Sequence, residues 1–157
     1  MATLLVDTDV YSYITANNSA RARPYKPHLE GHEMALSFIT VGELYAGYQK
    51  QISKGVWPES RLHALEAKLR QVAIIPYDVE ICRAYGAIKH NIKNADGSQR
   101  TIAPNDLWIA ACAIRHKLKL VTNNGKHFTG IPGLDIICEA PVKETMAEGG
   151  GVEPLSE

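Results

Sequence analysis

The chain has 157 residues, of which 45% are hydrophobic and 22% are charged. This is the composition of one globular domain with enough apolar side chains for a buried core. The formal net charge is +0, which excludes a general electrostatic attraction to nucleic acid or to anionic membranes. Any nucleic-acid binding must therefore come from a local basic patch or from bridging metal ions. All apolar runs are shorter than the ~18 residues that span a bilayer, so no membrane contact is expected.

The cysteines Cys82, Cys112 and Cys138 lie far apart and lack the paired spacing of a zinc site. Cys82 and Cys112 fall within apolar helical patterns, which predicts buried thiols. Reduced cysteines are typical of a cytoplasmic protein.

The first apolar segment, residues 4–6, predicts a short buried strand that runs directly into Asp7. Asp7 is then either the cap of a helix expected over residues 10–16 or a ligand-binding carboxylate at a strand end. A polar loop is expected over residues 17–32. Its basic part, residues 21–26, is either a solvated loop or a contact for nucleic-acid phosphates.

A second strand is expected over residues 35–40, followed by a helix that extends to about residue 52. Thr40 and Glu43 match the S/T-x-x-E capping box, with Thr40 as the N-cap. Glu43 therefore has a local structural explanation beside any role in a site.

The second half of the chain continues the alternation of helices and strands. The expected order is helix 59–71, strand 72–76, a helix capped by Asp78, a turn at 94–97, strand 117–122, a turn at 123–125 and edge strand 131–137. Pro104, Asn105 and Asp106 begin a helix that is apolar on most sides, which predicts deep burial and places Asp106 at the mouth of the core. A disordered tail is expected over residues 141–157, after a single domain over residues 1–140.

The alternation predicts an α/β fold, a three-layer α/β/α sandwich with a mainly parallel central sheet. Several polar side chains then follow strand ends that meet at one edge of the sheet or begin the buried helix: Asp7, Asp9, Glu43, Asp106, Thr122 and Asn124. Clustered carboxylates repel each other unless a cation neutralises them, and their hard oxygen atoms suit Mg²⁺ or Mn²⁺. Phosphodiester hydrolysis is the chemistry that uses such a cluster, with one metal ion or with a second about 4 Å away.

The sequence resembles the PIN-domain ribonucleases, and within them the VapC-type toxins of toxin–antitoxin pairs. The resemblance covers roughly residues 3–139 and rests on four segments in order: LLVDTDV at 4–10, ITVGELYAG at 39–47, PNDLWIAA at 104–111 and LVTNN at 120–124, the last followed by HF and IPGL. It implies that Asp7, Glu43 and Asp106 bind Mg²⁺, with Mn²⁺ as the other candidate. It also implies an RNA substrate, tRNA above all, a homodimer and a small VapB-type antitoxin. Thr8, Thr122 and Asn124 would orient water or phosphate.

Asn124 departs from the family pattern, because this position is often an aspartate. An amide can form hydrogen bonds or ligate weakly through its carbonyl, but it carries no charge for a second metal ion. Asp9 either restores part of that charge or serves as a local cap.

Two alternatives remain open at this point. Asp7-Thr8-Asp9-Val10 also fits the DxDx[TV] nucleophile motif of haloacid-dehalogenase-type phosphatases, although that family leaves Glu43 and Asp106 unexplained. The second alternative is a PIN-like module that binds RNA or a partner without cutting, which the missing fourth acid would allow.

Overall fold

The computed structural model describes residues 2–16 and 19–139, so the expectation of a disordered tail over residues 141–157 lies outside the described residues. The strands are β1 (Thr3–Val6), β2 (Glu33–Ser37), β3 (Ala73–Ile75), β4 (Lys119–Val121) and β5 (Ile136–Ile137). The helices are α1 (Thr8–Thr15), α2 (Ser19–Ala22), α3 (Lys26–Leu29), α4 (Phe38–Ser53), α5 (Ser60–Leu69), α6 (Val79–Asn91), α7 (Pro104–His116) and α8 (Gly125–Phe128).

The strands form one five-stranded sheet in the order β3-β2-β1-β4-β5, and every neighbouring pair is parallel. Leu5 of β1 lies beside Ala35 of β2 on one side and beside Leu120 of β4 on the other. The chain moves outward from β1 to β3 and then returns to the opposite side of β1 for β4 and β5. The crevice between the carboxyl ends of β1 and β4 is therefore the topological switch point, where open parallel sheets bind their ligands.

Both faces of the sheet are covered, because successive strand residues point to opposite sides. Leu5 and Leu120 enter a core with helices α6 and α7, whereas Leu4, Val6 and Val121 enter a second core with α1, α4 and α5. This arrangement confirms the predicted three-layer sandwich. Within the described part of the chain, no helix is both long enough and apolar enough to cross a membrane.

Helix α4 begins three residues before the position that the capping box predicts. Ser37 is the N-cap, and its buried hydroxyl accepts the backbone N–H of Thr40 at 3.1 Å. The second strand consequently ends at Ser37, and the prediction that Thr40 caps the helix is wrong. Both Ser37 and Thr40 are suitable caps, and the paired length of β2 against β3 decides between them. Glu43 therefore has no capping role.

Three other segments differ from the sequence prediction in their secondary structure. The expected loop over residues 17–32 contains α2, a 3₁₀ turn at Arg23–Tyr25 and α3. Pro24 and Pro27 lie in the first turns of these short elements, where a missing N–H removes no hydrogen bond. Residues 125–128 form α8 directly after the turn, and the edge strand is only two residues long.

Candidate active site

Asp7 follows the last residue of β1 and is 4% exposed. One of its carboxylate oxygens accepts the backbone N–H of Thr8 at 2.8 Å, so Asp7 does cap helix α1. The other oxygen accepts the hydroxyl of Thr122, at 2.7 Å, from the end of β4. Asp7 is thus a helix cap whose carboxylate also lies at the strand end in the crevice, and its ligand-binding role stays a prediction.

The turn after β4 brings Asn124 to the same place. The hydroxyl of Thr122 accepts the backbone N–H of Asn124 at 3.0 Å, which fixes the turn. The Asn124 side-chain amide donates to the carboxylate of Asp9 at 3.1 Å. The structure therefore brings Asp9 and Asn124 together in the crevice beside Asp7.

Glu43 reaches the crevice from the second turn of α4. Its Oε1 atom accepts the hydroxyl of Thr8 at 2.5 Å, and its Oε2 atom accepts the side-chain amide of Asn105 at 2.8 Å. The hydroxyl of Thr8 also lies 3.1 Å from that of Thr40. Glu43 is thereby connected to the first turns of both α1 and α7.

Asp106 lies in the first turn of α7 and its side chain is 20% exposed. Its Oδ2 atom is 3.0 Å from Nδ1 of His127, a residue of α8 whose side chain is 48% exposed. Because Leu107 and Ile109–Ala113 are buried in the core, the helix holds Asp106 firmly at the edge of the crevice.

The acidic side chains act on one another electrostatically. The pKa of Asp7 is raised to about 6, chiefly by burial and also by the charges of Asp9 and Asp106, while the hydrogen bonds from Thr122 and Thr8 oppose the shift. Burial also raises the pKa of Asp106; His127 opposes this shift, and the charges of Glu43 and Asp9 add to it. Four carboxylates predicted from the sequence therefore share one region of unbalanced negative charge.

No group of three or more His, Cys, Asp or Glu side chains among the described residues is arranged as a ready-made metal site. The carboxylate oxygens described above are instead engaged by hydroxyl, amide and imidazole groups. These carboxylates nevertheless fit a hard cation, because their ligating atoms are all oxygen. Among the salt bridges of residues 2–16 and 19–139, no lysine or arginine neutralises their negative charge.

Sequence reasoning missed three residues that contact the site or its turn. Asn105 stands beside Asp106 in the PNDLWIAA segment, and His127 stands in the HF pair, but neither spacing signals a contact. Tyr25 is 1% exposed, and its hydroxyl lies 2.6 Å from Oδ1 of Asn123, 3.2 Å from the carbonyl of Thr122 and 2.9 Å from the backbone N–H of Glu139.

Arg100 supports the segment that carries His127. Its guanidinium donates to the backbone carbonyls of Thr129 at 2.6 Å, His127 at 3.1 Å and Lys126 at 3.2 Å. Arg100 therefore anchors the C-terminal end of α8, the helix that carries His127.

Comparison with known proteins agrees with this geometry. The model of the PIN domain family matches residues 4–133, which include all six predicted site residues. The tRNA(fMet)-specific endonuclease VapC of Salmonella typhimurium is 27% identical over 136 residues, covering 87% of this chain and 97% of that protein. Ribonuclease VapC2 of Rickettsia felis is 31% identical over 105 residues, covering 67% of this chain and 73% of that protein.

The fold also matches solved structures of this family. The DNA-bound VapBC structure from Salmonella typhimurium contains a chain that superposes with a TM-score of 0.70 at 27% identity, covering 88% of this chain and 98% of that one. The family match leaves the phosphatase alternative without support, and that alternative does not account for Glu43 and Asp106. The family match, the five-stranded parallel sheet and the four converging carboxylates together establish that the chain belongs to the PIN-domain family, among the VapC ribonucleases.

Proposed function

We propose that this PIN-domain ribonuclease is a metal-dependent endoribonuclease toxin that cleaves structured RNA, with tRNA as the first candidate substrate. The observation that carries the proposal is the group of four carboxylates, Asp7, Asp9, Glu43 and Asp106, at the switch point of the sheet. Burial raises the pKa of Asp7 and Asp106, and the charges of the neighbouring carboxylates add to this, which supports binding of a cation there. The tRNA(fMet) specificity in the name of the Salmonella typhimurium relative supports the choice of substrate.

Asp7, Glu43 and Asp106 would hold Mg²⁺, or Mn²⁺ in its place, through their carboxylate oxygens. When bound, such an ion activates water and neutralises charge on a phosphodiester. Asp9 would add negative charge to the same region. Thr122 keeps Asp7 oriented through its hydroxyl, and Asn124 can present its amide to phosphate or water. The partial burial of Asp7 and Asp106 limits the water that competes for these groups.

We further propose a VapB-type antitoxin as the protein partner, a homodimer as the assembly and the cytoplasm as the compartment. The VapBC complex from Salmonella typhimurium supports the first of these, since its toxin chain has the same fold.

The test is cleavage of total tRNA by the purified, antitoxin-free protein with Mg²⁺, with Mn²⁺ and with EDTA. Discrete fragments are expected with either metal ion and none with EDTA or with the variant Asp7→Ala. Glu80→Ala is the matched control, because Glu80 is an exposed carboxylate on α6 that pairs with Arg83 three residues later, away from the crevice. Folded protein that binds RNA but never cuts it would replace this proposal with the non-catalytic module, and full activity of Asp7→Ala would remove Asp7 from the site.

A further inference from the structure

Glu43 does not cap its own helix. The N-terminus of α4 is capped by Ser37, and Glu43 lies a full turn beyond that cap. Its carboxylate is half-buried and bonds to Thr8, 35 residues earlier, and to Asn105, 62 residues later. Both oxygens are therefore held by other elements of the fold, and the direction of the carboxylate depends on those two donors.

The two donors differ in what else they do. Thr8 follows Asp7 directly, and its hydroxyl also contacts Thr40. Asn105 has an exposed side chain, and the Glu43 contact is the one side-chain hydrogen bond that the described part of the chain records for its amide. Asn105 is also the residue before Asp106 on the rigid first turn of α7.

From this geometry we propose that Asn105 is a positioning residue that holds Glu43 in the orientation needed for the site. A glutamate has three side-chain torsions, so one hydrogen bond from Thr8 leaves Oε2 free to turn toward solvent. The 2.8 Å bond from Asn105 fixes the second oxygen. Because Asn105 and Asp106 share one helical turn, this bond also sets the distance between two of the proposed metal-binding carboxylates.

This inference rests on the proposed function, since the orientation of Glu43 matters only if Glu43 binds the ion. Hydrogen-bond partners of ligating carboxylates typically change metal affinity by about 10- to 100-fold when they are removed. We therefore expect Asn105→Ala and the similarly sized Asn105→Leu to weaken Mn²⁺ binding by at least about 10-fold. The exposure of Asn105 means that both variants should fold.

The experiment measures the affinity for Mn²⁺ alone by calorimetry, without RNA, for the wild type, both Asn105 variants, Glu43→Ala and the double variant Asn105→Ala/Glu43→Ala. Asn91→Ala is the matched control, because the exposed Asn91 amide bonds to the carbonyl of Ala87 within its own helix. RNA binding in EDTA is measured beside it, and it should be unchanged if Asn105 acts through Glu43.

The expected result is a loss of Mn²⁺ affinity in both Asn105 variants that disappears when Glu43 is already alanine, with Asn91→Ala equal to the wild type. Mn²⁺ affinity within about twofold of the wild type in the Asn105 variants would overturn the positioning role while leaving the proposed function intact. An equal loss in the Glu43→Ala background would overturn it as well. A wild-type protein that binds no Mn²⁺ and cuts no RNA would overturn the proposed function, and this inference with it.

Discussion

The side-chain amide of Asn124 donates to the carboxylate of Asp9 at 3.1 Å, across 115 positions of sequence. The pair joins the turn after β4 to the first turn of α1, beside Asp7. It shows how the crevice accommodates an amide where the family often has an acid: the amide supplies a donor to Asp9, and Asp9 supplies the charge.

The first prediction concerns this pair. Asn124→Asp would place two carboxylates about one hydrogen-bond length apart and remove a bond to a charged group, which should lower the free energy of unfolding of the metal-free protein by about 2 kcal/mol. Urea unfolding in EDTA measures this change. The double variant Asp9→Asn/Asn124→Asp exchanges the two residues and should recover most of the lost free energy of unfolding, because one amide again faces one carboxylate. A single variant as stable as the wild type would show that the pair is too solvated to matter.

The second prediction is a pH dependence of stability. Burial raises the pKa of Asp7 from 3.8 to about 6, so between these values the folded state holds a proton that the unfolded state releases. Stability of the metal-free protein should therefore fall as the pH rises through this window, by up to about 3 kcal/mol at roughly 1.4 kcal/mol per pKa unit.

Urea unfolding at pH 4.5 and pH 7.5, both in EDTA, tests this dependence. Asp7→Asn should abolish most of the fall. Asp96→Asn is the control, because hydrogen bonds from Ser98 lower the pKa of the exposed Asp96 from 3.8. This residue therefore loses its stabilising charge only below the pH range tested, and its replacement should leave the fall in place. Equal pH dependence in the wild type and in Asp7→Asn would contradict the assignment to Asp7.

The third prediction concerns Tyr25. Its buried hydroxyl contacts Thr122, Asn123 and Glu139, three residues of the C-terminal part of the chain. Tyr25→Phe keeps the ring but leaves these groups without the hydroxyl, which should cost about 1–3 kcal/mol in the free energy of unfolding. The control is Tyr77→Phe, since Tyr77 is 57% exposed. A Tyr25→Phe protein as stable as the Tyr77→Phe protein would indicate that water replaces the hydroxyl.

The fourth prediction compares two glycines in helices. A Cβ atom on Gly125 of α8 would lie 2.9 Å from Sγ and 3.2 Å from Cβ of Cys138, whereas one on Gly86 of α6 would meet no atom within 4 Å. Gly125→Ala should therefore destabilise the fold by roughly 1–3 kcal/mol. Gly86→Ala should stabilise it by up to about 1 kcal/mol, because alanine has the higher helix propensity. Thermal unfolding distinguishes the expected destabilisation by Gly125→Ala from the expected stabilisation by Gly86→Ala. A stabilised Gly125→Ala protein would show that Cys138 moves aside freely.

The sequence by itself determined the order of the strands and of the five longer helices, the parallel sheet and the position of Asp7 after β1. These features follow from local patterns: apolar runs for buried strands, a cap such as Asp78 for α6, and a proline at the start of α7. The alternation of helices and strands was enough to predict which strand ends would converge, because parallel strands present their carboxyl ends at one edge of the sheet.

Local patterns were insufficient where two of them competed. Ser37 and Thr40 are both good caps, and pairing of β2 with β3 decided for Ser37. This choice moved Glu43 out of a capping box and left its carboxylate available to Thr8 and Asn105.

The partners of the acidic side chains were decided only by the tertiary structure. Asp7 with Thr122, Glu43 with Asn105 and Asp106 with His127 are separated by 115, 62 and 21 residues. No periodicity or propensity encodes such pairs, because each depends on the packing of helices on opposite faces of the sheet and on the register of β1 against β4. The sequence therefore indicated which chemical groups reach the crevice, and the packing decided how each of them is held there.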